Sequence, residues 1–205
     1  MEVYLKALLL GDIEGLTEFL PVSSTGHLIF VSEIVNFDTI PNKVFEVVIQ
    51  LGAILAICFL YRDKIFSVLF NINYPSSQNF ISYILIAFLP AAIIGILLHD
   101  FIKTVLFSVH VVAISLIVGG IIIIIVEKLK IKPVDLAIEE IPFKTALKIG
   151  LFQSLAIIPG TSRSGSTIIG ALLLKIPRQT AAEFSFFLAI PTMVGAASYD
   201  IYKNY

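Results

Sequence analysis

Glu14-Gly-Leu-Thr-Glu18-Phe-Leu-Pro21-Val-Ser23-Ser24-Thr25-Gly26-His27 sets two carboxylates, a run of hydroxyls and an imidazole inside sequence apolar enough for a bilayer. A second polar stretch, Pro159-Gly160-Thr161-Ser162-Arg163-Ser164-Gly165-Ser166-Thr167, lies in similar surroundings near the other end. A charged side chain at the centre of a spanning helix costs about 2.5–3.5 kcal/mol on insertion scales. Carboxylates and a guanidinium persist there only when something offsets that cost. The compensation to expect is each other, together with an anionic ligand.

Working outward, 58% of the chain is hydrophobic, 14% is charged, and the mean hydropathy is +0.97. These values place it among all-α polytopic membrane proteins. Its 205 residues leave room for about six membrane segments of roughly 20 residues and no separate soluble domain, so residues 1–205 read as a single integral membrane domain. The net charge of −1 carries no basic patch, which argues against nucleic acid as a partner. A single cysteine, Cys58, excludes an internal disulfide. The first apolar stretch lacks a basic leader and runs straight into the polar motif, so a cleavable signal peptide is not expected.

Val44–Tyr61, Phe80–Leu98 and Val105–Val126 are apolar runs of 18 to 22 residues, long enough for spanning helices. A fourth runs from Ala181 to Tyr199 across Pro191. Val3–Val35 and Lys144–Lys175 differ, because each carries Pro, Gly and Ser at its middle. Irregular backbone at membrane depth is tolerated only where protein or a wet cavity surrounds it. Both segments are therefore expected to be re-entrant helix hairpins, alongside about four spanning helices.

At a constant offset of 139 the chain matches itself without a gap. Gly11 falls on Gly150, Leu16 on Leu155, Ser23 on Ser162, Gly26 on Gly165, Ile29 on Ile168 and Phe45 on Phe184, while Glu14 falls on Gln153. The repeat halves run from about 3 to 61 and from 144 to 200. An odd number of spans between the hairpins makes this an inverted repeat, with the hairpins entering from opposite faces. Arg62, Lys64, Lys128, Lys130, Lys132, Lys144, Lys148, Lys175 and Arg178 then share one side, against Lys6, Lys43, Lys103 and Lys203. By the positive-inside rule the first side is cytoplasmic and the mouth of the first hairpin faces outward.

Glu14 and Glu18, one helical turn apart, share a face. Like charges there call for a cation or a proton, so the pair reads as a divalent-metal or proton-relay site. The plainer alternative is a pair facing water at the interface. Ser23, Ser24, Thr25 and His27 follow a helix-ending proline and offer a nucleophile or a general base; the hydroxyls serve equally as helix caps. The loop around Gly160, Ser162, Arg163, Ser164 and Thr167 has the make-up of a phosphate cradle, with backbone N–H groups at a helix start and a bidentate Arg. The alternative is an Arg that merely neutralises Glu14 or Glu18. His99, Asp100, Lys103, His110, Glu46, Gln50 and Glu183 rank below these.

At these residues the chain resembles the bacitracin-resistance type of undecaprenyl-diphosphatase. That family's patterns are Glu/Gln-x-x-x-Glu, Ser-Ser-Thr-Gly-His and Pro-Gly-x-Ser-Arg-Ser-x-x-Thr. They stand here as Glu14 and Glu18, Ser23 to His27, and Pro159 to Thr167, with every position filled. The resemblance extends over essentially the whole chain. It implies a bacterial plasma-membrane enzyme, facing outward, that removes one phosphate from undecaprenyl diphosphate. The product, undecaprenyl phosphate, is the lipid carrier of peptidoglycan synthesis, and its recycling confers bacitracin resistance. By resemblance Arg163 binds the diphosphate with Ser23, Gly160, Ser162, Ser164 and Thr167 around it. Glu14 and Glu18 hold Mg²⁺ or Ca²⁺ or set the site's protonation, and Ser24 or His27 acts as nucleophile or base. Family members continue beyond the point matching Tyr205 with further membrane helices. An anionic-lipid transporter and an inactive shortened member remain rival readings, and a homo-oligomer stays open.

Overall fold

A computed structural model describes residues 2–37, 44–106 and 108–204. Lys43, counted above for sidedness, lies outside the described residues, as do the side chains of Glu46 and Lys103. Among the described residues every regular element is helical. The order is α1 (Glu2–Thr17), α2 (Ser24–Ile34), α3 (Val44–Leu60), α4 (Arg62–Phe70), α5 (Pro75–Leu97), the single turn α6 (His99–Phe101) running into a π-helical turn (Ile102–Leu106), and α7 (Val109–Lys128). A 3-10 turn (Ile138–Glu140) leads to α8 (Phe143–Gln153), which tightens into a second 3-10 turn (Ser154–Ile157) before α9 (Arg163–Leu173) and α10 (Arg178–Asn204).

Among the described residues three helices are long and apolar enough to cross a membrane: Pro75–Leu97, Val109–Lys128 and Arg178–Lys203. The apolar part of α3, Val48–Leu60, is shorter. Boundaries differ from those expected for local reasons. The α5 helix starts early because Pro75 sits at its first turn, where its missing N–H costs nothing. The α7 helix starts late because the Ser108 hydroxyl caps it, accepting from the Val111 N–H at 3.3 Å. Only 11% of the apolar window of α7 is buried within the protein, so its Ile and Val side chains are left for lipid. The short amphipathic α4, with no buried residue, has no counterpart among the expected spans.

The core gathers on α5 and on the helices of the second half of the chain. Phe80, Ile84 and Ala87 of α5 pack against Ala146 and Ile149 of α8 and Phe184 and Leu188 of α10. The closest approach is at Gly150, where an added Cβ would lie 2.3 Å from the carbonyl oxygen of Ala87. Two small residues thus let the α5 and α8 backbones touch, as apolar helices do when dispersion must hold them together.

Both polar stretches break a helix and start another. After α1, Pro21 ends the helical ladder, and Ser23 adopts φ 62 and caps α2 by accepting the Gly26 N–H at 3.4 Å. After α8, Pro159 and Gly160 make the break, and Ser162 caps α9 by accepting the Gly165 N–H at 3.0 Å. Gly160 has φ +88, and a Cβ there would lie 2.6 Å from the Val112 carbonyl oxygen, so only glycine fits. Adding 139 to the bounds of α2, 24–34, gives 163–173, the bounds of α9. The two capping serines and the two capped glycines are related by the same offset.

Candidate active site

The two breaks meet. Arg163, the first residue of α9, extends its guanidinium across the space after α1, and Nη2 donates to Glu18 Oε1 at 2.9 Å. The side chains are 12% and 9% exposed, so this ion pair is almost fully desolvated. The other oxygen of the same carboxylate, Oε2, accepts from the Ser24 hydroxyl. Arg163, Glu18 and Ser24 therefore form one hydrogen-bonded chain, from guanidinium through carboxylate to hydroxyl.

Further bonds stitch the loops together. Ser164 Oγ donates to the Leu20 carbonyl at 2.7 Å and lies 3.1 Å from Ser162 Oγ. Arg163 Nη1 donates to the Ser185 carbonyl at 3.0 Å, and Ser185 Oγ stands 2.6 Å from Thr167 Oγ1. Nη2 also approaches Met193 Sδ at 3.7 Å. The Nε–H of Arg163 is buried and has no hydrogen-bond partner among the described residues. A buried donor without an acceptor costs about 1–3 kcal/mol, a cost tolerated where a ligand supplies the acceptor.

A cavity of about 230 Å³ opens on this chain of groups. Glu18, Ser23, Ser24, Ser162 and Arg163 line it, as do Thr25, Thr161, Gln50 of α3, and Thr192 and Met193 of α10. The structure brings these expected site residues to one wall, and raises Gln50 from a lesser candidate to a lining residue. It does not bring all of them there. Glu14 is fully buried behind the cavity rather than on its wall. Ser164 and Thr167 are buried in the loop framework, and Gly160 abuts α7. His27 is exposed and off the wall. Its Nδ1 stands 2.9 Å from the Ser23 carbonyl; a carbonyl only accepts, so Nδ1 carries a proton.

Ser185 and Thr192 were not anticipated. Each is a lone hydroxyl within α10, where hydroxyls bond back to the preceding turn without signalling anything. Thr192 does so, donating to the Leu188 carbonyl at 2.7 Å. Their other partners, Arg163 and Thr167 for Ser185 and Gln153 Oε1 at 3.3 Å for Thr192, lie far off in sequence, and only the tertiary fold identifies them.

A second charged cluster lies elsewhere. Lys64 Nζ pairs with Glu139 Oε1 at 2.6 Å and with Glu183 Oε1 at 3.2 Å. The Phe80 and Phe187 rings stand 5.5 and 5.9 Å from the same nitrogen. Beside it is a cavity of about 370 Å³, lined in part by Lys64, Ser67, Ser76, Ser77 and Glu139. Glu183 thus belongs to this cluster and not to the Arg163 site.

The family model described as "Bacitracin resistance protein BacA" matches residues 7–205. Curated relatives agree with it. The chain is 55% identical over 195 residues to the undecaprenyl-diphosphatase of Parvibaculum lavamentivorans, covering 95% of this chain and 73% of that one. It is 54% identical over 205 residues to undecaprenyl-diphosphatase 1 of Mesorhizobium japonicum, covering 99% and 76%. To undecaprenyl-diphosphatase 3 of Acinetobacter baylyi it is 56% identical over 201 residues, covering 97% and 76%.

Proposed function

The chain belongs to the bacitracin resistance protein BacA family, and from that premise we propose how its buried charges carry out the family's reaction. The reaction itself is dephosphorylation of undecaprenyl diphosphate to undecaprenyl phosphate and inorganic phosphate, the name its relatives bear at 54–56% identity. That name supports hydrolysis over carriage of an anionic lipid and over an inactive remnant.

The observation that carries the mechanism is the Arg163–Glu18–Ser24 chain on the cavity wall. The terminal phosphate docks on Arg163, supplying the acceptor that its buried Nε–H lacks and drawing Nη2 away from Glu18. Glu18 then takes the Ser24 proton on Oε2. Ser24 Oγ attacks the terminal phosphorus, the bond from that phosphorus to the bridging oxygen breaks, and its electron pair leaves with undecaprenyl phosphate. A water molecule next attacks the phosphoserine. Glu18 returns its proton to Ser24 Oγ, and both hydrogens of the water leave with the phosphate. Arg163 stays in place throughout, holding charge that spreads over the phosphoryl oxygens.

Among the described residues no group of three or more His, Cys, Asp or Glu forms a ready-made metal cage. Mg²⁺ needs none, since it binds through one or two carboxylates plus substrate phosphates. Glu18, on the cavity wall, is the carboxylate that would hold such an ion, or Ca²⁺, with Glu14 buried behind it in support. Bound there, it would neutralise phosphate charge.

The two broken helix pairs read as re-entrant hairpins of an inverted repeat within one membrane domain. What supports this is the recurrence of the α2 bounds in α9, with α3, α5 and α7 between the hairpins. The Lys and Arg distribution favours a site facing outward across the bacterial plasma membrane.

The test of the mechanism is Ser24→Ala with acid quenching on substrate labelled in its terminal phosphate. The wild type should trap label on protein, and the variant should trap none and lose turnover. Retained turnover in the variant would replace Ser24 with water as the attacking group, Glu18 remaining the base.

A further inference from the structure

The second cavity has the size of a ligand site, and the proposed mechanism has no use for it. At about 370 Å³ it lies within the roughly 300–1,000 Å³ of pockets that hold small molecules. It sits at the start of α5. Pro75 occupies the first turn of that helix, and Tyr74 gives it no side-chain cap. The first bond of the ladder runs from the Gln78 N–H to the Tyr74 carbonyl at 3.1 Å, so the N–H groups of Ser76 and Ser77 have no helical partner. Both serines line the cavity. Ser77 is only 7% exposed, and its hydroxyl makes no hydrogen bond to a described residue. A hydroxyl so buried is ordinarily bonded, and this one borders the cavity instead. With the positive end of the α5 dipole behind them, these donors call for an anion.

The charges beside them call for the opposite. Lys64 Nζ is held by Glu139 at 2.6 Å and by Glu183 at 3.2 Å, one cation against two carboxylates. The cluster therefore carries one formal negative charge in excess. Glu139 lines the cavity and is 39% exposed, so a second cation can reach it. A simple anion would satisfy the serines and be repelled by the carboxylates, and a simple cation would do the reverse. A ligand carrying both charges on a short spacer satisfies both. The setting adds the rest of its chemistry. The α5 helix is long and apolar enough to span a membrane, so its first turn lies near the interface. The α4 helix, which lends Ser67 and Val68 to the cavity, exposes Phe66, Leu69 and Phe70.

From this we propose that the cavity holds the headgroup of a zwitterionic aminophospholipid. Its phosphodiester accepts from the Ser77 hydroxyl and from the N–H groups of Ser76 and Ser77, its ammonium donates to Glu139, and its acyl chains lie along α4. The site shares no lining residue with the Arg163 cavity and does not depend on the phosphatase reading. Lipid bound there anchors the α4–α5 corner at the membrane surface.

The experiment follows Tm in a phosphate-free maltoside detergent as phosphatidylethanolamine is added, with phosphatidylglycerol of the same chains, phosphoethanolamine and inorganic phosphate as the other arms. Phosphate bound at Arg163 is common to all variants and cancels when they are compared. At a hundredfold excess over its Kd, phosphatidylethanolamine should raise the Tm of the wild type by about 5–10 °C. Ser77→Ala should roughly halve that shift, the mark of a site about tenfold weaker. Phosphatidylglycerol, which lacks the ammonium, should shift the wild type less than half as much, and Glu139→Gln should bring the two lipids level. Equal shifts from the two lipids on the wild type would overturn the zwitterionic site. A shift from phosphoethanolamine or inorganic phosphate as large as that from the lipid would assign the cavity to a soluble anion and overturn the lipid. An undiminished shift in Ser77→Ala would overturn the site itself, and where that variant fails to fold, an undiminished preference for phosphatidylethanolamine in Glu139→Gln does the same.

Discussion

Two clusters in this apolar protein have the same make-up, one cation with carboxylates beside a cavity, and opposite surroundings. At Arg163 the pair with Glu18 is about nine-tenths buried, and every neighbouring contact is a hydroxyl, a carbonyl or a thioether. At Lys64 the partners are 22–39% exposed, and the near neighbours include two aromatic rings. Lys64 is a compact point charge gripped by two carboxylates, with water within reach. Arg163 is a planar fork with one buried prong unsatisfied. The difference teaches how to read charge in a membrane protein. A pair that water and aromatic faces can serve is a fastening, whereas a desolvated pair threaded with hydroxyls is poised for chemistry.

Arg163→Ala should have the largest effect. Phosphate release should fall below detection, and removing one partner of a buried pair should cost about 3–5 kcal/mol of stability, because Glu18 is left as an uncompensated charge. Adding Glu18→Gln to that variant should recover much of the Tm and none of the activity. Recovery of both would make the Arg163 cluster a fastening like the other. Arg163→Lys should rescue poorly, because an ammonium cannot reproduce the fork that reaches Glu18 and Ser185 together.

Ser185→Ala is the next step down. The variant keeps the carbonyl that receives Nη1 and loses the hydroxyl beside Thr167. One hydrogen bond is worth about 0.5–1.5 kcal/mol net, so kcat/KM should fall by about tenfold or less. The loss should lie mainly in KM if Ser185 acts through the phosphate-holding Arg163. A fall in Tm with unchanged kinetics would place Ser185 in the framework alone.

What the sequence makes legible follows the same division. Pro21 and the Pro159–Gly160 pair mark the breaks, because proline ends a hydrogen-bond ladder wherever it falls. Hydropathy marks α5, α7 and α10, because lipid imposes a length. Glu18, Ser24 and Arg163 stand out as charges and hydroxyls where the bilayer disfavours them. Ser185 and Thr192 do not, since a hydroxyl in an apolar helix is cheap and its partner is set by packing. His27 looks catalytic beside Ser24, yet on the folded helix it is exposed and turned to the Ser23 carbonyl. The Lys64 cluster was hidden for a different reason. Its members come from the start of α4, a 3-10 turn and α10, three places with no shared local pattern.

Lys64→Met should leave kcat/KM within about twofold of wild type, since surface-accessible pairs contribute about 0–1 kcal/mol. Tm should drop by about 2–4 °C per kcal/mol for a chain of this size. A large loss of phosphate release at unchanged Tm would mean that the second cluster takes part in turnover, and the contrast between the clusters would fail.

The smallest effect is in the pH dependence of that fastening. Partial burial pushes the Glu139 carboxyl up, but the hydrogen bond and charge of Lys64, with a bond from its own backbone, outweigh it and hold the group below its ordinary value. A carboxyl depressed in the folded state stabilises folding above its unfolded pKa of about 4.3 and loses that contribution as pH falls through the lower folded value. The Tm gap between wild type and Glu139→Gln, followed by circular dichroism, should therefore be constant from neutral pH down to about pH 5 and close below about pH 4. Because Glu139 is 39% exposed, solvent screening keeps this gap small and high salt should narrow it. A gap that widens on acidification would mean that Lys64 does not stabilise the ionised form, and that Glu183 alone holds it.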